Sequence, residues 1–168
     1  DSPQKFVTNR LVVIFPADNP AGLSTLQDLN KAGLRLVLAA ESVPVGGYSL
    51  EFLDKAAQDA GFSATFKEEV LTNVVSYEEN VKAVLAKVVL GEADAGIVYT
   101  SDISGENASK VGQIEIPDAL NVVASYPIAP LADSPNPDVA AAFVAFVLSP
   151  EGQKILSDYG FIPVIETK

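Results

Sequence analysis

Three stretches of the sequence end in groups that could bind a small anion. The first runs from Val43 to Tyr48 and contains one Pro and two Gly; the others are Asn80-Val81 and Tyr99. Where a predicted strand leads into a helix, the first N–H groups of that helix lack intrahelical acceptors and point at one place. With the Tyr99 hydroxyl they would form a set of neutral donors. For any one stretch taken alone, an ordinary strand-to-helix turn is the simpler interpretation.

The composition argues against most other chemistry. The 168 residues carry a net charge of −11, which makes nucleic acid an unsuitable partner and requires that any bound anion be held by local dipoles. There is no Cys, His, Met or Trp, so Cys and His nucleophiles, imidazole bases and the usual zinc ligands are missing. Glu41, Glu68 and Glu69 are candidates for general acids, but surface positions explain them more simply.

Neither a cofactor fingerprint nor a membrane span is evident in the sequence. The Gly46-Gly47 pair lacks the spacing of a dinucleotide-binding or phosphate-binding loop. No apolar run approaches the roughly 18 residues that a membrane span requires. We therefore predict a protein that is not an enzyme, has no catalytic residue, and uses no cofactor.

Hydrophobic periodicity predicts strands that alternate with helices. Predicted strands cover residues 6–15, 34–38, 74–75, 95–99 and 111–116. Predicted helices run from Ser24 (capping box with Gln27) to Gly33, from Tyr48 to Gly61, from Val81 to Gly91, from Asn136, and from Ser149 to Gly160. Residues 62–72 remain unassigned, and residues 121–129 are extended with Pro127 inside, which favours an edge strand or a crossing connection. This order predicts the α/β class with a mainly parallel sheet, in which ligands bind at the carboxyl ends of strands.

Several motifs are similar to those of one transport family. They are Asn9–Ile14, Leu23–Leu29, Val43-Pro44-Val45-Gly46-Gly47-Tyr48, Glu79–Val81, Gly91–Asp102, Tyr126–Ala129, Leu148–Gln153 and Tyr159–Phe161. The Val-Pro-x-Gly-x-Tyr and Gly-Glu-Ala-Asp-Ala-Gly-Ile-Val-Tyr runs are the most specific. On these motifs the chain resembles the periplasmic molybdate-binding proteins of ABC importers, which have the type II periplasmic-binding-protein fold.

The resemblance implies a site and partners. Molybdate or tungstate would be bound by the backbone N–H groups of Val45 and Val81 and by the Tyr99 hydroxyl. Pro44, Gly46 and Asn80 would support these loops, and no metal other than that of the bound oxyanion is expected. The implied partners are the small oxyanion and a membrane permease of an ABC transporter. The implied location is periplasmic or extracytoplasmic, with a lipid anchor as an option in the full-length form.

The resemblance also implies that most of the first lobe is missing. Residues 1–15 correspond to a crossing strand from that lobe, 16–120 to a complete second lobe, 121–135 to the return connection, and 136–168 to helices that belong with the first lobe. Only half of the site would then be present, so we expect weak or no binding by this chain. The uncovered Phe143, Phe146 and Val147 would favour self-association.

Other functions on the same scaffold remain as alternatives. The main one is the ligand-sensing effector domain of a transcription regulator, which would need a DNA-binding segment that this sequence lacks. An enzyme on a related two-lobe scaffold is disfavoured by the missing catalytic residue types. A ferric-binding protein is disfavoured because adjacent Tyr ligands are expected there and only isolated Tyr residues occur.

Overall fold

The computed structural model describes residues 2–164, which divide into two compact units. Residues 10–122 form the larger unit, and residues up to 9 together with those from 123 form the smaller one. Residue 1 and residues 165–168, which belong to the first and last predicted segments, lie outside the described residues. How the two units correspond to the predicted lobes stays a prediction.

Strands and helices alternate along the described part of the chain. The strands are β1 (Gln4–Asn9), β2 (Leu11–Pro16), β3 (Leu36–Ala39), β4 (Val74–Glu78), β5 (Ala95–Tyr99), β6 (Val111–Glu115), β7 (Ala124–Ile128) and β8 (Ile162–Pro163). The α-helices are α1 (Pro44–Gln58), α2 (Phe66–Thr72), α3 (Val81–Val89), α4 (Pro137–Val147) and α5 (Pro150–Asp158). The predicted α/β class is confirmed.

The larger unit is built on a five-stranded sheet with the order β4-β3-β5-β2-β6. β3 pairs in parallel with β4 and with β5, whereas β2 pairs antiparallel with β5 and with β6. The sheet is therefore mixed. The prediction of a mainly parallel sheet is wrong for the two pairs that β2 forms, with β5 and with β6. A buried apolar run looks the same in either direction, so hydrophobicity could not reveal the orientation of β2 and β6.

The smaller unit has a three-stranded antiparallel sheet with the order β7-β1-β8, together with α4 and α5. β7 carries Pro127 and lies at the edge, as the sequence predicted. Gln153 of α5 is fully buried and donates to the carbonyls of Phe6 and Val147 at 2.7 and 2.9 Å, while it accepts from the Val164 N–H. One side-chain amide thus joins α5 to β1 and to the end of α4.

The predicted single strand over residues 6–15 is wrong. The chain breaks at Arg10, so that β1 and β2 belong to different sheets. Immediately after the break, the buried Asn121 side chain accepts from the Leu11 N–H and donates to the Leu11 carbonyl, both at 2.9 Å. Asn121 therefore occupies backbone groups of Leu11 that a continuous strand would otherwise use in its ladder.

Two other local predictions shift by a few residues. The short helix after Ser24 is a 3₁₀ turn, Leu26–Asn30, and its cap is formed by Thr25 and Asp28 rather than by Ser24 and Gln27. The unassigned stretch from residue 62 contains α2, which buries Phe66. Short segments such as these give too few turns for the helical period to be recognised.

The clearest predicted helix, α3, is confirmed and packs against the sheet. Val84 and Val88 are fully buried, and both approach Gly96 of β5. A Cβ at Gly96 would lie 2.8 Å from the Val84 side chain, so glycine is needed for this close approach. Among the described residues, no single helix is long and apolar enough to cross a membrane; α4 and α5 meet that test only as a pair with a 63° bend.

Candidate functional site

The three predicted anion-binding stretches follow three neighbouring parallel strands. β4, β3 and β5 are adjacent, so their carboxyl ends lie at one edge of the sheet. Val45 follows β3, Val81 follows β4, and Tyr99 is the last residue of β5. The structure therefore brings all three predicted residues to the same edge, here called the carboxyl edge. Their contact with a ligand stays a prediction.

Val45 lies in the first turn of α1 and not in a loop. The predicted helix start at Tyr48 is wrong, because Pro44 occupies the first helical position and Val43 precedes it as the cap residue. The Val45 side chain is buried, and its carbonyl accepts from the Ser49 hydroxyl at 2.7 Å. Its N–H is one of the first in the helix, which have no intrahelical acceptor. Any contact of Val45 with a ligand would therefore be made through this N–H.

Gly46 allows this turn to approach the end of β3. A Cβ at position 46 would lie 2.1 Å from the carbonyl oxygen of Ala40 and 2.5 Å from that of Ala39. Real Cβ atoms do not come so close to backbone, so any side chain here would push α1 away from the sheet. Gly47 is less constrained, since its nearest neighbour would be the Glu41 carbonyl at 3.4 Å. Gly46 therefore has a packing role, and its support of an anion-binding turn stays a prediction.

Asn80 caps the helix that Val81 opens. Its side-chain oxygen accepts from the Ala83 N–H at 3.0 Å, which is the usual bond of an Asn N-cap. Val81 and Lys82 occupy the first two positions of α3, where N–H groups have no acceptor within the helix. The cap therefore fixes the direction in which the Val81 N–H points.

Tyr99 is buried at the end of β5, with 9% of its surface exposed. Its N–H donates to an Asp102 carboxylate oxygen at 2.9 Å, so its backbone donor is used within the protein. Burial raises the pKa of the Asp102 carboxyl above its usual value, while the Tyr99 N–H and the positive charge of Lys82 act in the opposite direction. Any donation from Tyr99 to a ligand would come from its hydroxyl.

The first residues of the motif that runs from Gly91 to Tyr99 have a structural role. Arg35, just before β3, donates to both carboxylate oxygens of Asp94 at 2.6 to 3.2 Å and to the carbonyls of Gly91 and Glu92. The Arg35 guanidinium lowers the pKa of the Asp94 carboxyl. The first residues of this motif therefore join the amino ends of β3 and β5, and its last residue reaches the carboxyl edge.

The carboxylates considered for acid–base chemistry are not arranged as a catalytic group. Glu41 and Glu68 are exposed. Glu69 accepts from Thr65 and Asn30, and these two bonds lower its pKa. The described residues contain no group of three or more His, Cys, Asp and Glu side chains that could hold a metal ion.

A family model described as bacterial extracellular solute-binding protein matches residues 1–162. The chain therefore belongs to this family. It is 36% identical over 159 residues to the molybdate-binding protein ModA of Mycobacterium tuberculosis, a match that covers 95% of this chain and 56% of ModA. The resemblance indicated by the sequence motifs is thus confirmed, and the chain spans about half the length of the curated relatives it matches.

Two further relatives extend the comparison. A solved substrate-binding domain assigned to a molybdenum ABC transporter of Clostridium difficile superposes with a TM-score of 0.78 at 32% identity, over 98% of this chain and 68% of that one. YvgL of Bacillus subtilis, described as a substrate-binding lipoprotein of an ABC transporter, is 26% identical over 94% of this chain and 56% of its own length. These relatives are binding proteins, which agrees with the prediction that the chain is not an enzyme.

Proposed function

We propose that the protein is the solute-binding component of an ABC importer and that it carries molybdate or tungstate. The observation that carries this proposal is the shared edge of three parallel strands, with Val45, Val81 and Tyr99 at their carboxyl ends. The similarity to ModA supports the choice of ligand. The structural match to a domain assigned to a molybdenum transporter supports it as well.

The donor set suits an anion that is fully ionised near neutral pH. Val45 and Val81 would each give a backbone N–H, and Tyr99 would give a hydroxyl. A hydrogen bond to a charged group contributes about 1.5 to 3 kcal/mol, so a few such bonds could hold a dianion despite the net charge of −11. An anion that carries a proton needs an acceptor opposite that proton, and the two backbone N–H groups cannot accept. Fully deprotonated oxyanions are therefore favoured over hydrogen phosphate.

Part of the binding energy is expected to come from outside residues 1–168. The chain spans 56% of the length of ModA, and the family resemblance implies further Ser or Thr donors on a first lobe. Residues 1–168 on their own are therefore expected to bind molybdate weakly or not at all. Micromolar or tighter affinity of this chain alone would contradict that expectation.

The same relatives support a proposal for the partner and the location. An extracytoplasmic protein that delivers the oxyanion to a membrane permease fits the family description and the transporter relatives. A lipid anchor in the full-length form is supported by the lipoprotein YvgL. Labelling of intact cells with a membrane-impermeant reagent should modify the protein if this location is right.

The chain on its own is also expected to associate with a second copy through α4 and α5. Phe143 and Phe146 of α4 are 60% and 43% exposed, and Ile155 of α5 is 45% exposed. All three line an apolar cavity of about 320 Å³. A surface that contains both projecting apolar side chains and an apolar hollow can pair with its own copy.

Light scattering of residues 1–168 tests this association. A dimer is expected, and it should strengthen with added salt, because screening weakens the repulsion between two copies of net charge −11. Phe143→Glu should restore a monomer. Val123→Glu, at a residue that is 50% exposed and lies outside the two helices, is the matched control. A wild-type chain that stays monomeric at all salt concentrations would refute the association.

Calorimetric titration of the full-length gene product tests the ligand. Molybdate and tungstate should give binding heat, and phosphate, which carries a proton near neutral pH, should give much less; sulfate is titrated beside them. Tyr99→Phe removes one hydrogen bond to the anion and should weaken molybdate binding about tenfold, which is about 1.4 kcal/mol. Tyr159→Phe, at an exposed residue of the smaller unit, should leave it unchanged. Heat from sulfate or phosphate with none from molybdate would overturn the proposal.

A further inference from the structure

The turn after β5 contains a carboxylate that the sequence motifs alone do not distinguish. Asp102 is the third residue of the 3₁₀ turn Thr100–Ile103, and its Oδ2 accepts the Tyr99 N–H at 2.9 Å. A carboxylate that bonds back to the residue before a helical turn is one half of a capping box. Asn107 donates to the Asp102 carbonyl at 3.1 Å, which links the turn to the residues after it. The backbone of Tyr99 is therefore anchored from its own C-terminal side.

The same cap occurs at a second place under different electrostatic conditions. Asp28 Oδ2 accepts the N–H groups of Ser24 and Thr25 at 2.7 and 2.9 Å before the turn Leu26–Asn30. These bonds hold the pKa of Asp28 well below its usual range, whereas burial raises the pKa of Asp102. Asp28 also pairs with Lys31 at 3.1 Å, which favours its charged form, whereas burial opposes the charged form of Asp102.

Asp102 is bonded to one of the three predicted contact residues, and its turn packs against the helix that carries another. It is hydrogen-bonded to Tyr99, and the turn that contains it contacts α3. Lys82, which follows Val81 in the first turn of α3, is the positive charge that acts on the Asp102 carboxyl. The turn that contains Asp102 therefore follows Tyr99 directly and packs against the helix that begins at Val81.

We propose that Asp102 is a positioning residue for the oxyanion site. It holds the backbone of Tyr99 at the end of β5 and uses the Tyr99 N–H, so that Tyr99 meets the anion through its hydroxyl alone. This inference rests on the proposed function, because it assigns Asp102 a role in placing a donor of the proposed site. Asp102 itself is not a ligand, since a carboxylate would repel the oxyanion.

The test is a double-mutant cycle measured by molybdate titration of the full-length gene product. Asp102→Ala should weaken binding about tenfold, like the loss of the Tyr99 hydroxyl. Asp102→Asn should recover most of the affinity, because the amide oxygen can accept the same N–H. In the Tyr99→Phe background, Asp102→Ala should cause little further loss of affinity. Both changes remove the same contribution, which is the hydrogen bond from the Tyr99 hydroxyl to the anion. Independent, additive losses would overturn the inference.

Asp28→Ala is the matched control, since it removes the same kind of cap away from the carboxyl edge. It should lower the Tm and leave molybdate affinity unchanged. If Asp102→Ala fails to fold, Asp102→Glu replaces it; this variant keeps the charge but displaces the acceptor, and it should also weaken binding. Wild-type affinity in the folded Asp102 variant, or equal losses in the Asp28 and Asp102 variants, would refute the positioning role alone. A wild type that binds neither molybdate nor tungstate would refute the proposed function and this inference together.

Discussion

The two edges of the five-stranded sheet use their polar groups in opposite ways. At the amino edge, which is the side of the sheet where β3, β4 and β5 begin, polar groups are hydrogen-bonded to one another. Arg35 and Asp94 form an ion pair that also uses two carbonyls, and the buried Asn73 donates to the carbonyls of Leu29 and Lys31 at 2.9 and 2.8 Å. These bonds hold the beginnings of the three parallel strands together.

The carboxyl edge presents the opposite arrangement. Its predicted donors, the N–H groups of Val45 and Val81, lie in the first turns of helices and have no intrahelical acceptors. The edge is nevertheless rigidly built, by the close approach of Gly46 to β3 and by the Asn80 cap. The comparison teaches that the ends of parallel strands form a candidate site when the bonds that hold the following helices leave the first N–H groups of those helices without intrahelical acceptors. Four changes test this distinction, in order of decreasing expected effect.

The largest effect is expected from Gly46→Ala. The new Cβ would collide with the Ala40 carbonyl, so α1 must move away from β3 at a cost of about 3 kcal/mol. Urea unfolding measures the loss, and molybdate binding by the full-length gene product should fall as well. Gly47→Ala is the control and should be neutral or slightly stabilising, because a helical Gly is about 1 kcal/mol worse than Ala. Equal stability of the two variants would contradict the close approach.

Asp94→Ala should have an intermediate effect on stability. It leaves the Arg35 guanidinium with only carbonyl partners and removes the acceptor of the Arg35 N–H. The loss is smaller than that from Gly46→Ala because the guanidinium remains open to solvent. Thermal unfolding should show a lower Tm, whereas molybdate affinity should not change. A loss of affinity as large as that in Tyr99→Phe would show that the two edges are not independent.

Asn80→Ala should cost about 1 kcal/mol through the loss of the α3 cap. Asn80→Asp separates stability from binding at the same residue. Asp is an equally good cap and its charge favours the helix N-terminus, so stability should be kept. The same charge would lie beside the proposed oxyanion, and molybdate affinity should fall. Unchanged affinity in Asn80→Asp would argue against a ligand near Val81.

The smallest effect is a difference in acid sensitivity. The pKa of Asp94 is lowered chiefly by the Arg35 hydrogen bond and that of Glu78 by the Lys87 hydrogen bond. Their contributions to stability are present above the usual pKa values of 3.8 and 4.5, and they are lost as pH falls through the lowered values in the folded protein.

The raised pKa of Asp102 acts with the opposite sign, because its protonation favours the folded state. Urea unfolding between pH 3 and pH 7 should therefore show a steeper loss of stability with acid in Asp102→Asn than in the wild type. Parallel profiles of the two proteins would mean that burial does not raise the Asp102 pKa.

The sequence predicted those parts of the larger unit that depend on local patterns. The apolar runs that became β3 and β5, and the helical period of α3, are each visible within about ten residues. The start of α1 is also visible in the sequence, since Pro44 is typical of a first helical position.

The break at Arg10 and the antiparallel direction of β2 were not accessible in this way. Both depend on partners that are distant in sequence, such as Asn121 for Leu11 and Glu115 for Val12. The three-residue spacing from Tyr99 to Asp102 is a weak local cap signal, because its hydrogen bond can be recognised only once β5 and the following turn have formed.

Asn121 has a consequence for the evolution and engineering of this chain. Its amide groups bind Leu11 and the Ile116 carbonyl, and its oxygen also accepts the Val122 N–H at 2.8 Å. Residues 10–122 therefore begin and end at one point. A segment whose ends meet can be moved between host sequences as a cassette, and its own ends can be joined and new termini opened elsewhere. A single asparagine holds the two ends of this stretch together.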